Sequence, residues 1–139
     1  MRVFKIEMKV RDYECDSQGI VNNANYLHYF ENTRHEFLLH IGVSFSEAHR
    51  NGIDSVVTHA ELDYKCSLRG DDVFISSIII ERKGAKVVFH QSIHRKIDNK
   101  VCCKGKIEVV ILINGKLSRG DYYEKLMEEY LLNDKKTIK

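Results

Sequence analysis

The sequence predicts an α+β fold, a curved antiparallel sheet wrapped around one long central helix. Three observations predict it. An amphipathic segment beginning near residue 23 carries Tyr26, Phe30, Phe37 and Ile41 on one side, the spacing of a helix with one buried face. Four long strand-like segments follow, residues 53–66, 73–83, 86–97 and 101–113, and the short turns between them imply antiparallel pairing. The 139 residues contain no proline, which allows long uninterrupted strands. A single early helix then needs a curved sheet to bury it.

The elements follow in order. Residues 2–10 alternate, with Val3, Lys5, Glu7 and Lys9 on one face and Phe4, Ile6, Met8 and Val10 on the other, a half-buried first strand. Asp16, Ser17, Gln18 and Gly19 then favour a turn, because short polar side chains bond nearby backbone and glycine accepts positive φ. Asn22 or Asn23 can cap the helix that follows. Leu27 and Leu38 flank its apolar stripe, Glu31, Asn32, His35 and Glu36 fall mainly opposite, and Gly42 is a natural stop. Ser44 and Glu47 have capping-box spacing, so residues 44–52 read as a short helix or turn ending at Gly52.

The period then changes to that of strands. Residues 67–72, Gly84, Asp98-Asn99 and Asn114-Gly115 break the strand-like run. Residues 121–132 read as an amphipathic closing helix capped by Asp121, and residues 133–139 as a fraying Lys-rich tail. With no internal repeat, linker or low-complexity segment, one domain over residues 1–139 is expected.

Composition narrows the function classes. The net charge of +2, with basic and acidic residues interspersed, argues against a nucleic-acid-binding face. No segment has the apolar length of a membrane span and the start is charged throughout, so a soluble cytoplasmic protein is expected. Cys15 and Cys66 lack a C-x-x-C partner, and adjacent Cys102 and Cys103 point to opposite faces of a strand, so reduced thiols are expected. Cys15 as a nucleophile has no histidine nearby in sequence. The seven histidines show no metal-ligand spacing, and no metal is expected.

The residue types around Asp16 carry the chemistry. A carboxylate shortly before a helix N-terminus joins a base or nucleophile to free N–H groups that attract developing negative charge. By residue type alone, Asp16 also reads as an ordinary turn residue. Asp16, Gly19, Ile20, Val21, Asn25, Tyr26, Phe30, Glu31 and Arg34 together resemble the signature of hotdog-fold acyl-CoA thioesterases of the 4-hydroxybenzoyl-CoA thioesterase type. The resemblance implies Asp16 as nucleophile or general base, an oxyanion site on amides near Asn23, and Gly19 letting the turn approach the substrate.

It also implies a homodimer that completes the active site, with a dimer of dimers as a further option, and no cofactor beyond the coenzyme A of the substrate. Tyr26, Leu27 and Phe30 would line the acyl chain. The stretch from His59 to Arg69, with Tyr64 and Gly70-Asp71, would contribute to the site from a partner subunit. Lys65, Arg69, Lys83 and Lys86 are candidates for the coenzyme A phosphates by charge and position. The sequence departs from many such relatives in holding Ile20 and Asn23 where they carry a turn histidine, and Tyr13 stands three rather than four residues before the Asp. The missing histidine disfavours a hydratase. An acyl-carrier-protein thioesterase and a non-catalytic acyl-thioester-binding module stay open.

Overall fold

A computed structural model describes residues 1–132. The chain runs β1 (Phe4–Lys9), a 3-10 turn (Asp12–Glu14), α1 (Asn23–His40), α2 (Phe45–Arg50), β2 (Ile53–Tyr64), β3 (Val73–Lys83), β4 (Lys86–Arg95), β5 (Val101–Ile113), β6 (Lys116–Leu117), α3 (Glu124–Met127) and a 3-10 turn (Glu128–Tyr130). In β1 the half-buried Phe4, Ile6 and Met8 alternate with exposed Lys5, Glu7 and Lys9. Asn22 caps α1, its Oδ1 accepting the Ala24 N–H, and Ser44 caps α2 by accepting the Glu47 N–H. The chain leaves α1 through Gly42 at φ +92°, a left-handed value suited to glycine.

The sheet order is β1-β3-β4-β5-β2, every pairing antiparallel, with β6 on β5. One expectation from the short turns is therefore corrected. Consecutive β2 and β3 are not neighbours, and β2 forms the edge beside β5. The segment between them is a strap lying against the loop before α1. Its Leu68 is fully buried, takes a hydrogen bond from the Val21 N–H at its carbonyl (2.8 Å) and donates its own N–H to the Tyr26 hydroxyl (3.1 Å). The two-residue β6 was not anticipated. It follows from Asn114 and Gly115, both at positive φ, the pair a tight hairpin needs.

The expected closing helix over residues 121–132 is also corrected. One turn of α-helix gives way to a 3-10 turn, and Asp121 caps with its carbonyl, not its side chain. The sheet competes for this backbone: β1 covers β3 only as far as Ile78, and the chain end occupies the next free edge. There the Leu132 N–H bonds the Ile80 carbonyl (2.7 Å) and the Glu129 carbonyl accepts the Arg2 N–H (2.6 Å). The expected fraying tail, residues 133–139, lies outside the described residues.

Helix α1 buries Tyr26, Tyr29, Phe30, Thr33, Phe37 and Leu38 in the concave side of the sheet. The expected stripe contains Tyr26, Phe30 and Phe37, while Ile41 is half-buried and Leu27 exposed. Thr33 is buried without loss because its hydroxyl bonds the Tyr29 carbonyl and the Ser76 hydroxyl, each at 2.7 Å.

Phe30 lies directly over Gly105, where an added Cβ would fall 2.6 Å from the ring. Phe30→Ala is expected to cost about 3–5 kcal/mol, and Gly105→Ala about 1–3 kcal/mol by overpacking. The double variant should lose less than the sum, because the new methyl enters the space the ring vacates. Urea unfolding of the four proteins measures this coupling, and strict additivity would contradict the contact.

Candidate active site

The loop carrying Asp16 closes on itself. The Asp16 N–H bonds the Ile20 carbonyl (2.9 Å) and the Gly19 N–H bonds the Asp16 carbonyl (3.0 Å). Asp16 Oδ1 accepts the Gln18 N–H at 2.8 Å. Gly19 holds φ +77° with open space where a Cβ would point, so the backbone conformation and not crowding calls for glycine. The exposed Asp16 carboxylate keeps further acceptor capacity beyond the Gln18 bond.

Glu14 anchors this loop to the helix. Its Oε1 accepts the Arg11 N–H (2.8 Å) and the Tyr29 hydroxyl (2.9 Å). Its carbonyl accepts the Asn22 N–H (3.0 Å) and Asn25 Nδ2 (2.8 Å). Burial first, and then the Glu14 carboxylate, push the Tyr29 phenol well above its ordinary pKa, so it stays a donor. Sequence reasoning gave no role to Glu14 or Tyr29, and it met Asn25 only as part of the family signature, not as an anchor of this loop. A signal for the pair was the i, i+4 spacing of Asn25 and Tyr29, which puts both on one face of the helix. Tyr29→Phe is expected to cost about 1 kcal/mol and to lower kcat more than it changes KM. Unchanged kcat in thiol-release kinetics would show that the anchor does not matter to the loop.

The helix N-terminus leaves one donor open. Asn22 takes up two first-turn amides, Ala24 through its side chain (3.0 Å) and Asn25 through its carbonyl (2.9 Å). The Asn23 N–H has no acceptor among the described residues, and the helix dipole adds positive potential there. The Tyr64 hydroxyl donates to the Asn23 carbonyl (3.2 Å), and the Tyr64 ring meets Tyr26 edge-on at 5.5 Å. Burial pushes the Tyr26 phenol up to about 12. Asp16, Ile20, Asn23, Tyr26, Tyr64 and Lys65 all line one open cavity of about 300 Å³.

The structure thus brings together Asp16, Asn23, Tyr26, Tyr64 and Lys65, with Gly19 in the adjoining turn. The other candidates lie outside this lining. Phe30 is fully buried and Leu27 is exposed on the helix. His59 stands on β2 beside Glu61 (2.8 Å), and Arg69 is exposed, its N–H held by Asp72 (2.8 Å). Lys83 and Lys86 sit at the β3–β4 hairpin, Lys86 opposite Val110, whereas the cavity end of β5 is Cys103 opposite Tyr64.

All four cysteines are unbridged. Burial, followed by Asp12, Asp16, Glu14 and Asp71, raises the Cys15 pKa, which opposes a thiolate beside Asp16. Burial pushes Cys102 up to about 11 and Cys103 to about 12. Among the described residues no group of His, Cys, Asp or Glu converges as metal ligands would. No described helix is long and apolar enough to cross a membrane.

A curled antiparallel sheet holding one long helix defines the hotdog class of proteins. The chain belongs to the thioesterase-like superfamily, whose family model matches residues 10–128. It is 34% identical over 96 residues to the acyl-acyl carrier protein thioesterase ATL3 of Arabidopsis thaliana chloroplasts, covering 69% of this chain and 50% of that protein. The chain thus spans about half the length of this relative. It is 33% identical over 95 residues to YneP of Bacillus subtilis, a putative acyl-CoA thioesterase, covering 68% of this chain and 69% of that one. The crystal structure of a hypothetical protein from Aquifex aeolicus superposes with a TM-score of 0.80 at 29% identity, over 91% of this chain and 98% of that one.

Proposed function

We propose that this chain hydrolyses acyl-coenzyme A thioesters to a free acid and coenzyme A. The observation that supports this reading is that one cavity is lined both by Asp16, an exposed carboxylate, and by Asn23, whose N–H has no acceptor among the described residues. Asp16 acts there as a general base or as the nucleophile. As base, it takes a proton from water while the water oxygen bonds the thioester carbonyl carbon. The carbonyl oxygen becomes an oxyanion accepting the Asn23 N–H, stabilised by the helix dipole. Collapse breaks the carbon–sulfur bond and releases the thiolate. As nucleophile, Asp16 forms an acyl anhydride that water then opens, giving the same products. A thiolate leaves without strong acid assistance, so the site needs no general acid. Lys65 at the cavity supplies a positive charge suited to a phosphate.

A homodimer fits the open side of the sheet. Among the described residues the twelve-residue β2 pairs only with β5, and its Val56 and Val57 are 41% and 47% exposed. A long edge strand with an unpaired side favours pairing with another strand. Antiparallel pairing of two β2 edges would set the Tyr64 end of one subunit beside the Ile53 end of its partner, so that the partner walls the Asp16 cavity.

The likeness to a plant acyl-carrier-protein thioesterase favours a second reading in which the pantetheine is protein-borne. Thiol release from hexanoyl-coenzyme A and from hexanoyl carrier protein distinguishes the two. The proposal expects the higher kcat/KM with coenzyme A. A preference for the carrier protein would transfer the activity to the second reading, and binding without release from either would leave an acyl-thioester-binding module.

A further inference from the structure

Cys66 has no part in the hydrolysis described above, yet it is half-buried in the wall of the Asp16 cavity, next to Tyr64 and Lys65. Its Sγ accepts a hydrogen bond from Arg95 Nη2 at 3.5 Å. The guanidinium is itself held, by Asp98 at 2.8 Å and by the Ser67 carbonyl at 3.2 Å. The sulfur therefore rests against a fixed, planar cation.

Cys102 stands behind Cys66. Strand β5 bulges here: Ile93 faces Cys103 and His94 faces Val101, which leaves Cys102 as the extra residue. Cys102 and Cys103, expected on opposite faces, are both fully buried in one apolar cluster, and Cys66 packs against it. The Cys66 N–H donates to the Cys102 carbonyl at 3.2 Å. Covalent geometry then keeps the two Cα atoms within about 7 Å, and disulfides span Cα separations of about 4.4–6.8 Å. Burial first, and then the charge of Cys66, push the Cys102 thiol up to about 11; Arg95 opposes them, and a side-chain hydrogen bond with Cys66 adds to the rise. The two sulfurs are thus neighbours, one at the cavity and one sealed in the core.

We propose that Cys66 and Cys102 form a reversible dithiol pair that reacts with low-molecular-weight disulfides entering the Asp16 cavity. Cys66 loses its proton to solvent and attacks one sulfur of the reagent. A bond from the Cys66 sulfur forms, the reagent's own sulfur–sulfur bond breaks, and a first small thiolate leaves. Cys102 then loses its proton and attacks the Cys66 sulfur, forming the Cys66–Cys102 disulfide and expelling the second small thiolate. The two protons and two thiolates make two small thiols, so the reagent is reduced and the pair oxidised. Once Cys66 is in a disulfide, it carries no charge to oppose ionisation of Cys102. The mixed disulfide fills the cavity, and the second step clears it. Only the effect of that adduct on turnover rests on the function proposed above.

The test is peptide-mapping mass spectrometry of the full chain incubated with hydroxyethyl disulfide, the fold of each protein being checked by circular dichroism. In wild type the peptides of Cys66 and Cys102 should become cross-linked with the loss of two hydrogens, and reduction should separate them again. Cys102→Ser should stop at a hydroxyethylthio adduct on Cys66, and Cys102→Ala takes its place if the serine variant does not fold. Cys66→Ser should leave Cys102 unmodified, and Cys103→Ser should cross-link as wild type does. Wild type that stays unmodified at Cys66, keeps a stable adduct there, or cross-links Cys66 to Cys15 or Cys103 would overturn the proposal. The Cys66 adduct of Cys102→Ser should abolish thiol release from an acyl-coenzyme A, and reduction should restore it. Full turnover by the adduct would contradict its place in the cavity. A wild type with no thioesterase activity would sink the function proposed above and leave the mass result standing, so either conclusion can fail alone.

Discussion

Asp16→Asn is expected to lower kcat for acyl-coenzyme A hydrolysis by about a hundredfold or more, the scale for losing a general base or nucleophile. The fold should not change, and the loop hydrogen bonds explain why. Asp16 holds its turn through one side-chain oxygen that accepts the Gln18 N–H and through two backbone bonds. Asparagine keeps all three and removes only the second acceptor oxygen and the charge. Because the carboxylate is exposed and forms no ion pair among the described residues, its removal should move the melting temperature by no more than about 2 °C. Full activity in this variant would reduce Asp16 to a turn residue.

Asn23→Pro is the complementary change, aimed at the oxyanion and not at the base. Proline at the first helical position is well tolerated, because the N–H it removes has no helical partner and its φ already suits the helix. The preceding Asn22 has φ −61° and ψ 135°, a conformation proline permits in the residue before it. The backbone should therefore accept the change with stability within about 1 kcal/mol of wild type. Loss of one oxyanion donor should lower kcat by about a hundredfold to a thousandfold. Asn23→Ala keeps the amide and removes only the side chain, so it should stay near wild type. If alanine proves as damaging as proline, the donor is the carboxamide and not the backbone.

The fold was legible in the sequence where one residue pattern governs one element. The alternation in residues 4–9, the Asn22 cap and the Gly42 stop, and the β5 bounds all follow from local rules. Strand order did not, because the short segment after β2 looks the same whether it turns back as a hairpin or crosses to another strand. Leu68 decides this by its burial against Tyr26 and Val21, a contact set by residues more than forty positions apart. The chain end failed similarly, since its helical pattern competes with the unoccupied edge at Ile80.

The turn at Asp16 and Gly19 and the helix start at Asn23 were legible because turn and cap chemistry is local, whereas the catalytic roles expected of them rest on the family resemblance. Glu14 and Tyr29 were not, because their bond joins the loop to a helix face that sequence spacing does not orient. Phe30 and Leu27 share the helix with Tyr26, yet one is sealed against Gly105 and the other faces outward. Only the rotation of α1 in the sheet separates these outcomes.

The most direct measurement is thiol release from a panel of short-chain, long-chain and aromatic acyl-coenzyme A substrates by wild type, Asp16→Asn and Asn23→Pro. The account predicts turnover of at least one member by wild type and a loss of about a hundredfold or more in each variant, with both folded. Wild type that binds these thioesters yet releases no thiol would contradict it.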